Sequence, residues 1–273
     1  MSILNFFHSY LPSPVIFSWG PLTFYWYGLL VGLGVAVGYA VTRRLWQAKG
    51  FKLAELDGLA FILVPAGLVG ARLLDVFLFE WWYFRDHLGA IFSFWQGGLS
   101  WHGALLGGGL AVWWWARWRG RSLLLVSDLL APGLAVGQAL GRWGNYFNQE
   151  IFGLPTTLPW GIPIAEPLRP EAYVSAVYFH PVFLYESLAL AVIALLVWRL
   201  YRSLWPAGRL FASYLVLSGL VRLVLEFVRV DEQVLLLGLR SGWWVAAVTV
   251  LLGVVIWFWS GYKSVAEVDL PRP

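Results

Sequence analysis

The sequence contains no cysteine among its 273 residues, and this absence removes several kinds of chemistry. Structural disulfides, cysteine nucleophiles and thiolate metal sites all require a residue that the chain does not have. Any thiol that takes part in a reaction of this protein must therefore come from the substrate.

Charged residues are also scarce, at 12 % of the chain, whereas soluble domains carry about 25 %. The net charge of +4 is small, and no basic cluster alternates with an exposed aromatic platform, so the sequence gives nucleic-acid binding little support. What the chain has instead is a 60 % hydrophobic composition with 19 tryptophans. Long apolar runs with few charges indicate a polytopic membrane protein embedded in a lipid bilayer.

Seven apolar stretches are long enough, or nearly so, to cross about 30 Å of hydrocarbon as helices. They cover residues 21–41, 56–79, 99–118, 123–140, 182–198, 210–227 and 243–259. We therefore predict an all-α polytopic membrane protein with seven transmembrane helices. Two glycine groups predict close helix packing, because small residues let membrane helices approach one another. These groups are Gly28, Gly32, Gly34 and Gly38, and Gly103, Gly107, Gly108 and Gly109.

Lysine and arginine favour one orientation of the chain, since cytoplasmic loops are enriched in them. If the first span runs inward, twelve basic residues lie in cytoplasmic segments, five in outer segments and two inside spans. The N-terminus is then outside and the C-terminus is cytoplasmic. We predict an interfacial segment over residues 1–20, a membrane domain over 21–263 with a small extracytoplasmic cap over 141–181, and a cytoplasmic tail over 264–273.

In this topology twelve polar residues in or beside the spans lie in the outer half of the membrane or at its outer surface, whereas the inner half contains almost no ionisable residue. They are Tyr27, Arg72, Asp75, His102, Arg142, Asn145, Glu150, Tyr185, Glu186, Arg222, Glu226 and Arg229. Ionisable groups in hydrocarbon are costly and usually mark function. Their one-sided placement favours a site that opens outward over a continuous permeation path.

Three of these residues, Arg222, Glu226 and Arg229, share one helix face because they are spaced i, i+4, i+7. Arg229 can reach the interface, whereas Arg222 lies deeper and needs a partner. That partner is either the carboxylate of Glu226 or a bound anion, and the spacing leaves both open.

Arg142 and Arg222 place two guanidinium groups at a similar depth on different helices, which suits the oxygens of a phosphate. Asn145 and Glu150 are predicted to orient these arginines or the glycerol hydroxyls, and the alternative for Glu150 is that it serves only as a salt-bridge partner. His102 follows a Gly-rich entry into the third span. It is either a hydrogen-bonded structural residue or a base that takes a proton from a thiol.

Five motifs resemble those of the bacterial prolipoprotein diacylglyceryl transferase family. The longest is Gly-Arg-Trp-Gly-Asn-Tyr-Phe-Asn-Gln-Glu-Ile-Phe-Gly at residues 141–153. The others are Gly-Ala-Arg-Leu at 70–73, Gly-Gly-Leu-Ser-Trp-His-Gly at 97–103, His-Pro-Val-Phe-Leu-Tyr-Glu at 180–186 and Arg-Leu-Val-Leu-Glu-Phe-Val-Arg at 222–229. They occur in the family's order and cover most of the chain from Tyr27 to Asp231.

The resemblance implies a multi-pass enzyme of the bacterial cytoplasmic (inner) membrane, with its active site on the extracytoplasmic side. It implies transfer of the diacylglyceryl group of phosphatidylglycerol to the lipobox cysteine of a prolipoprotein signal peptide, which releases glycerol 1-phosphate. The predicted catalytic residues are His102, Arg142, Arg222 and Glu226. The predicted substrate-binding residues are Arg142, Asn145, Glu150, Gly153, Tyr27, Gly103, Arg72 and Arg229.

The chain departs from the family's usual residues at five positions, which are Tyr25, Ala104, Phe183, Ser218 and Val230.

The alternative function is an anionic-lipid transporter or flippase, which typically shows internal repeats with broken helices. No convincing internal repeat is found. A metal-dependent lipid phosphotransferase is a third option, but its Asp-x-x-Asp type of cluster is missing, so no metal and no cofactor are predicted.

Overall fold

The computed structural model describes residues 7–20, 22–93, 97–202 and 205–268, with side chains described up to Gly261. The protein is mostly helical, and long helices occupy all seven of the predicted segments. They are α1 (Trp26–Ala48), α2 (Leu53–Leu74), α3 (Trp101–Trp118), α4 (Leu123–Phe147), α5 (Val182–Leu200), α6 (Arg209–Glu226) and α7 (Ser241–Val268).

Five of these helices are long and apolar enough to cross a membrane. They are α1, α2 with its π-helical continuation Asp75–Phe79, α4, α5, and α7 as far as Gly261. Helix α6 carries three charged residues, Arg209, Arg222 and Glu226, and is less apolar than these five. The prediction of a helical, multi-pass membrane protein is confirmed at this level.

The first helix begins later than predicted, at Trp26, because the residues before it form a β-hairpin. Strand β1 (Val15–Trp19) pairs antiparallel with β2 (Leu22–Tyr25), and the Trp26 amide donates to the Pro14 carbonyl at 3.0 Å. Aromatic and β-branched residues dominate both strands, and such residues favour strands. Pro21, where the first span was predicted to start, lies outside the described residues.

The fourth helix ends later than predicted and continues through Gly141 as far as Phe147. Arg142 and Asn145 are therefore helical residues, and the predicted cap segment turns away from the helix only at Asn148. The turn is made by Gln149 and Ile151, whose φ values of 56° and 55° lie in the left-handed region. The sequence pattern missed this because two glycines interrupt the apolar run.

The chain divides into two compact units. Unit 1 comprises Met1–Thr42 with Leu130–Pro273, and unit 2 comprises Arg43–Leu129. Within unit 1, α1 and α4 cross at glycines, since a Cβ built on Gly34 or Gly38 would lie 2.7 Å from the carbonyl oxygen of Gly137 or Gly133. This confirms the packing role predicted for those two glycines.

A small folded segment connects α4 to α5 in unit 1. Strand β3 (Ile162–Pro163) pairs antiparallel with β4 (Tyr178–Phe179), and two short 3-10 turns lie between them. Its buried apolar cluster includes Phe152, Ile162, Ile164, Phe179 and Phe183. A second hairpin, β5 (Leu235–Leu236) with β6 (Leu239–Arg240), connects α6 to α7.

Unit 2 is built on the packing of α2 against α3, again through glycine. A Cβ on Gly70 would lie 2.9 Å from the Gly107 Cα, and one on Gly103 would lie 2.8 Å from the Ala71 Cα. Gly109 has nothing within 4 Å of such a Cβ, so the predicted packing role does not extend to every member of that group.

Candidate active site

Arg142 lies in the penultimate turn of α4 and reaches across to α5. Its Nη2 donates to Oε1 of Glu186 at 2.8 Å, and its Nη1 donates to Oδ1 of Asn145 at 3.3 Å. Glu186 is 4 % exposed, and a carboxylate buried to this degree requires a cationic partner. In the part of the chain that the structure describes, the buried Nε of Arg142 has no hydrogen-bond partner.

Glu150 folds back onto the end of α4 because the left-handed residues on either side of it reverse the chain. Its Oε2 accepts a hydrogen bond from Asn145 Nδ2 at 2.8 Å, and its Oε1 accepts one from Asn148 Nδ2 at 3.1 Å. Asn145 thus lies between Arg142 and Glu150 and bonds to both side chains. The predicted orienting role of Asn145 and Glu150 remains a prediction, but the structure does bring the three residues together.

Tyr27 belongs to the same cluster, from the first turn of α1. Its ring packs on Gly144, where an added Cβ would lie 2.8 Å from the Tyr27 Cδ2. The Tyr27 hydroxyl interacts electrostatically with the Glu150 carboxylate and the Arg142 guanidinium. A larger residue than glycine at position 144 would displace this ring.

Arg222, on α6, faces the same charges without being bonded to any of them. Its guanidinium interacts electrostatically with Glu186, Arg142, Arg229 and Glu226. Among the residues that the structure describes, none accepts a hydrogen bond from it or forms a close ion pair with it. Its donors are therefore available to a ligand.

The carboxylate of Glu226, considered from the sequence as the partner of Arg222, is held by other residues. Gln233 Nε2 donates to its Oε1 at 2.8 Å, and Arg240 Nε lies 3.4 Å from the same oxygen. Arg229 Nη1 lies 3.9 Å from its Oε2. The pairing of Arg222 with Glu226 is not formed because the β5–β6 hairpin folds Gln233 and Arg240 onto that carboxylate.

Arg229 makes a two-pronged ion pair with Asp231, at 2.5 Å from Nε to Oδ1 and 2.7 Å from Nη2 to Oδ2. Burial alone lowers the pKa of Arg229, but the paired Asp231 carboxylate raises that pKa above its ordinary value, so the residue is permanently cationic. Gly153 forms an antiparallel bridge with Arg229, and a Cβ there would lie 2.9 Å from Val182 and Val228. The structure thus gives Gly153 a packing role beside this pair.

Arg72 lies in unit 2 and is bonded to backbone carbonyls. It donates to Ala90 at 2.6 Å, Gly97 at 2.7 Å, Gly98 at 2.8 Å and Ile91 at 2.9 Å. The side chain is 4 % exposed. These contacts hold the segment that leads into α3, and the substrate-binding role predicted for Arg72 remains a prediction.

His102 and Gly103 also lie in unit 2, in the first turn of α3, with His102 exposed and Gly103 buried. Gly103 packs on α2 at Gly70 and Ala71, which accounts for a glycine at this position. The predicted base function of His102 stays a prediction.

Several residues around the arginines were given no role from the sequence. Glu186 belongs to one of the family motifs and lies in the first turns of the apolar helix α5, so its charge was a usable signal for a partner of Arg142. Tyr214, buried on α6 beside Gln138, interacts electrostatically with Arg142, Arg222 and Glu186. Asp231 lies only two residues after Arg229, so its nearness in sequence was a usable signal. Gln233 and Arg240 carry no sequence signal, because only the fold of the hairpin brings them to Glu226.

A family profile described as prolipoprotein diacylglyceryl transferase matches residues 14–259. The chain belongs to this family. The match includes every residue of the arginine and carboxylate cluster described above. The resemblance drawn from the motifs and the prediction of a transferase are therefore confirmed.

Relatives with the same name align over most of their own length. The phosphatidylglycerol–prolipoprotein diacylglyceryl transferase of Parasynechococcus marenigrum is 42 % identical over 81 % of this chain and 81 % of the relative. The enzyme of Synechococcus elongatus is 38 % identical over 95 % and 92 %, and that of Gloeobacter violaceus is 39 % identical over 94 % and 96 %. By their names, these relatives transfer a diacylglyceryl group between phosphatidylglycerol and a prolipoprotein.

Proposed function

We propose that this chain transfers the diacylglyceryl group of phosphatidylglycerol to the lipobox cysteine thiol of prolipoproteins. The observation that carries the proposal is the pair of arginines on α4 and α6. Arg142 is held by Glu186, whereas Arg222 faces the same carboxylate and donates no hydrogen bond among the described residues. Guanidinium groups with unused donors suit the oxygens of a lipid phosphate.

The charge of this group matches the ligand. Arg142 and Arg222 with the carboxylate of Glu186 carry one net positive charge, and a phosphodiester carries one negative charge. Glu186 also reduces the repulsion between the two arginines, which keeps both cations in a low-dielectric setting. Phosphatidylglycerol is therefore a fitting occupant, with Asn145, Glu150, Tyr27, Gly153 and Arg229 around it.

The proposed reaction is a displacement at the glycerol carbon that bears the phosphate. The substrate thiolate forms a C–S bond, the C–O bond to phosphate breaks, and the electron pair leaves with glycerol 1-phosphate. Arg142 and Arg222 stabilise the charge on the leaving phosphate, which is the kind of electrostatic assistance that most lowers barriers. The thiol proton goes to His102 or, in the other version, to the phosphodiester environment or Glu226, in which case His102 is structural.

We further propose that all seven long helices span the bacterial cytoplasmic membrane, with the N-terminus outside and the C-terminus in the cytoplasm. The site then opens to the extracytoplasmic side, where prolipoproteins emerge. The distribution of basic residues supports this orientation. Phosphatidylglycerol would enter laterally between helices, since it is already in the bilayer.

The proposal is tested by mass spectrometry on purified protein in phosphatidylglycerol vesicles with a lipobox peptide. The peptide should gain one diacylglyceryl group, and a peptide with serine in place of cysteine should not. Absence of transfer, with movement of labelled phosphatidylglycerol between leaflets instead, would identify a flippase and overturn the proposal.

A further inference from the structure

A polar cleft lies in unit 2, and none of the residues that line it takes part in the proposed reaction. It has a volume of about 450 Å³ and lies where α2 begins and α3 ends. Its lining residues are Lys52, Ala54, Glu55, Trp118 and Arg119. None of these residues was predicted from the sequence to belong to a site.

The walls of this cleft are fixed by buried contacts. Trp46 is fully buried, and its Nε1 donates to the Lys52 carbonyl at 3.2 Å. Trp46 also packs edge-on against Phe51 and Trp115, with ring centroids 5.4 and 5.9 Å apart. The backbone at Lys52 therefore has a defined position relative to both helices.

The cleft has an excess of positive charge. Glu55 is the carboxylate that lines the cleft, and it forms an ion pair with Arg121. The Nη2 of Arg121 lies 2.9 Å from both carboxylate oxygens of Glu55. In the described part of the chain, Lys52 and Arg119 have no ion-pair partner, and Arg119 lies over the Trp118 ring at 5.4 Å. Two cations thus face the cleft without an anion.

The cleft lies at one end of a helix that is apolar enough to cross a membrane. Helix α2 is apolar enough to cross a bilayer and begins at Leu53, directly after Lys52. Trp118 is 63 % exposed and stacks on Trp114 at 5.3 Å. Exposed tryptophans at a helix end are typical of the membrane–water interface, which is the level of the lipid phosphates.

We propose that this cleft binds the headgroup of an anionic phospholipid from the adjoining leaflet. Lys52 and Arg119 bind the phosphate, Trp118 packs on the glycerol region, and Arg121 keeps Glu55 from repelling the ligand. Basic clefts between helices at a membrane surface are suited to such lipids. The bound lipid contributes no group to the transfer reaction, and the site does not depend on the proposed catalytic mechanism.

The test is photo-crosslinking of the full-length protein in phosphatidylcholine vesicles that contain a trace of phosphatidic acid with a diazirine beside its glycerol. After digestion, mass spectrometry should find the label on the peptides around residues 49–55 and 117–121. K52Q/R119Q should lower that labelling roughly tenfold, given the contribution of each basic residue near an anionic lipid. The charge-conserving K52R/R119K should retain it.

The matched control is R43Q/R44Q, which removes two exposed cations that do not line the cleft. It should label like the wild type, and each variant must keep the wild-type melting temperature. An equal loss of labelling in K52Q/R119Q and in R43Q/R44Q would mean that basic surface residues attract the anionic lipid in general. That result would overturn the proposed site. Competition by millimolar inorganic phosphate as strong as that by phosphatidylglycerol would indicate a free-anion site and also overturn the proposal.

Discussion

Glu186 contacts Arg142 directly and acts electrostatically on Arg222, so one buried carboxylate serves two cations on different helices. Without it, the two guanidinium groups would face each other in a poorly solvated region. Its contribution is therefore to the arrangement of the arginines before any lipid arrives. After the arginines themselves, Glu186 is therefore the residue whose substitution best tests how the site is arranged.

Glu186→Gln should destabilise the protein by about 3 kcal/mol, because it leaves Arg142 as a buried cation without a counter-charge. Transfer should fall at least about tenfold, since the position of Arg142 is no longer fixed. Thermal unfolding in detergent and initial rates of peptide transfer measure the two effects. Glu166→Gln, which alters an exposed carboxylate, should change neither. Equal behaviour of the two variants would show that Glu186 has no such role.

His102→Gln tests the proposed thiol base. An imidazole accepts a proton only when it is neutral, so wild-type transfer should decline as the pH is lowered and the imidazole becomes protonated. The variant should be about a hundredfold slower at pH 7 and should recover toward pH 9, where the thiol ionises by itself near its pKa of about 8.5. His87→Gln, at another exposed histidine, should follow the wild-type profile. Near-normal transfer by His102→Gln at pH 7 to 8 would remove it as the base.

The two arginines could be predicted from the sequence because charged residues in apolar segments are rare. Their partners could not, since Gln233 and Arg240 reach Glu226 only through a hairpin whose strands are two residues each. Periodicity places residues on one helix face, and it does not report contacts between helices or loops. The partner of a buried charge is therefore the part of this site that required the structure.

At the scale of the helices, glycine decides where two of them can touch. In α1, Gly34 and Gly38 approach the backbone of α4, whereas Gly28 and Gly32 have nothing within 4 Å of an added Cβ. The sequence marked all four as a packing group. The structure selects two of them, and this difference gives a matched pair of variants on one helix.

Gly38→Ala should lower the free energy of unfolding by about 1–3 kcal/mol, because the new methyl group would lie 2.7 Å from the Gly133 carbonyl oxygen. Gly32→Ala should cause no loss, since the position is open. Thermal unfolding of both proteins in the same detergent compares them. A larger loss for Gly32→Ala than for Gly38→Ala would contradict the packing of α1 against α4.

The helix boundaries show which features of the fold hydropathy predicts and which it does not. Among the described residues, each of the seven hydropathy segments coincides with a long helix, but the segments ended α4 before Gly141 and started α1 at Pro21. In α4 the helix continues through Gly141 and Gly144, which interrupt the apolar run, and at α1 the strand pairing of Leu22–Tyr25 delays the start of the helix. An apolar run reports neither a helix that continues through glycines nor a hairpin before a helix.

At the scale of the whole molecule, the proposed orientation determines the side of the membrane on which the candidate site lies. The distribution of basic residues predicts that the end of α1 is cytoplasmic and that the segment between α4 and α5 is outside. The proposed reaction requires that orientation, because in the proposal the prolipoprotein reaches the site from the extracytoplasmic side.

The absence of native cysteine makes this orientation directly measurable. Thr157→Cys, in the exposed segment after α4, should react with a membrane-impermeant maleimide in intact cells. Gln47→Cys, exposed at the end of α1, should react only after the membrane is permeabilised. The reverse labelling pattern would invert the proposed topology and place the site on the cytoplasmic side.

The central claim is that Arg222 holds the lipid phosphate together with Arg142. The most direct measurement is the rate of diacylglyceryl transfer to a lipobox peptide by Arg222→Ala in phosphatidylglycerol vesicles, compared with Arg202→Ala, which removes an exposed arginine. Loss of a donor that stabilises the leaving charge predicts a rate about 10²–10³ times lower for Arg222→Ala with unchanged folding, and a wild-type rate for Arg202→Ala. A near-normal rate for Arg222→Ala would contradict the account.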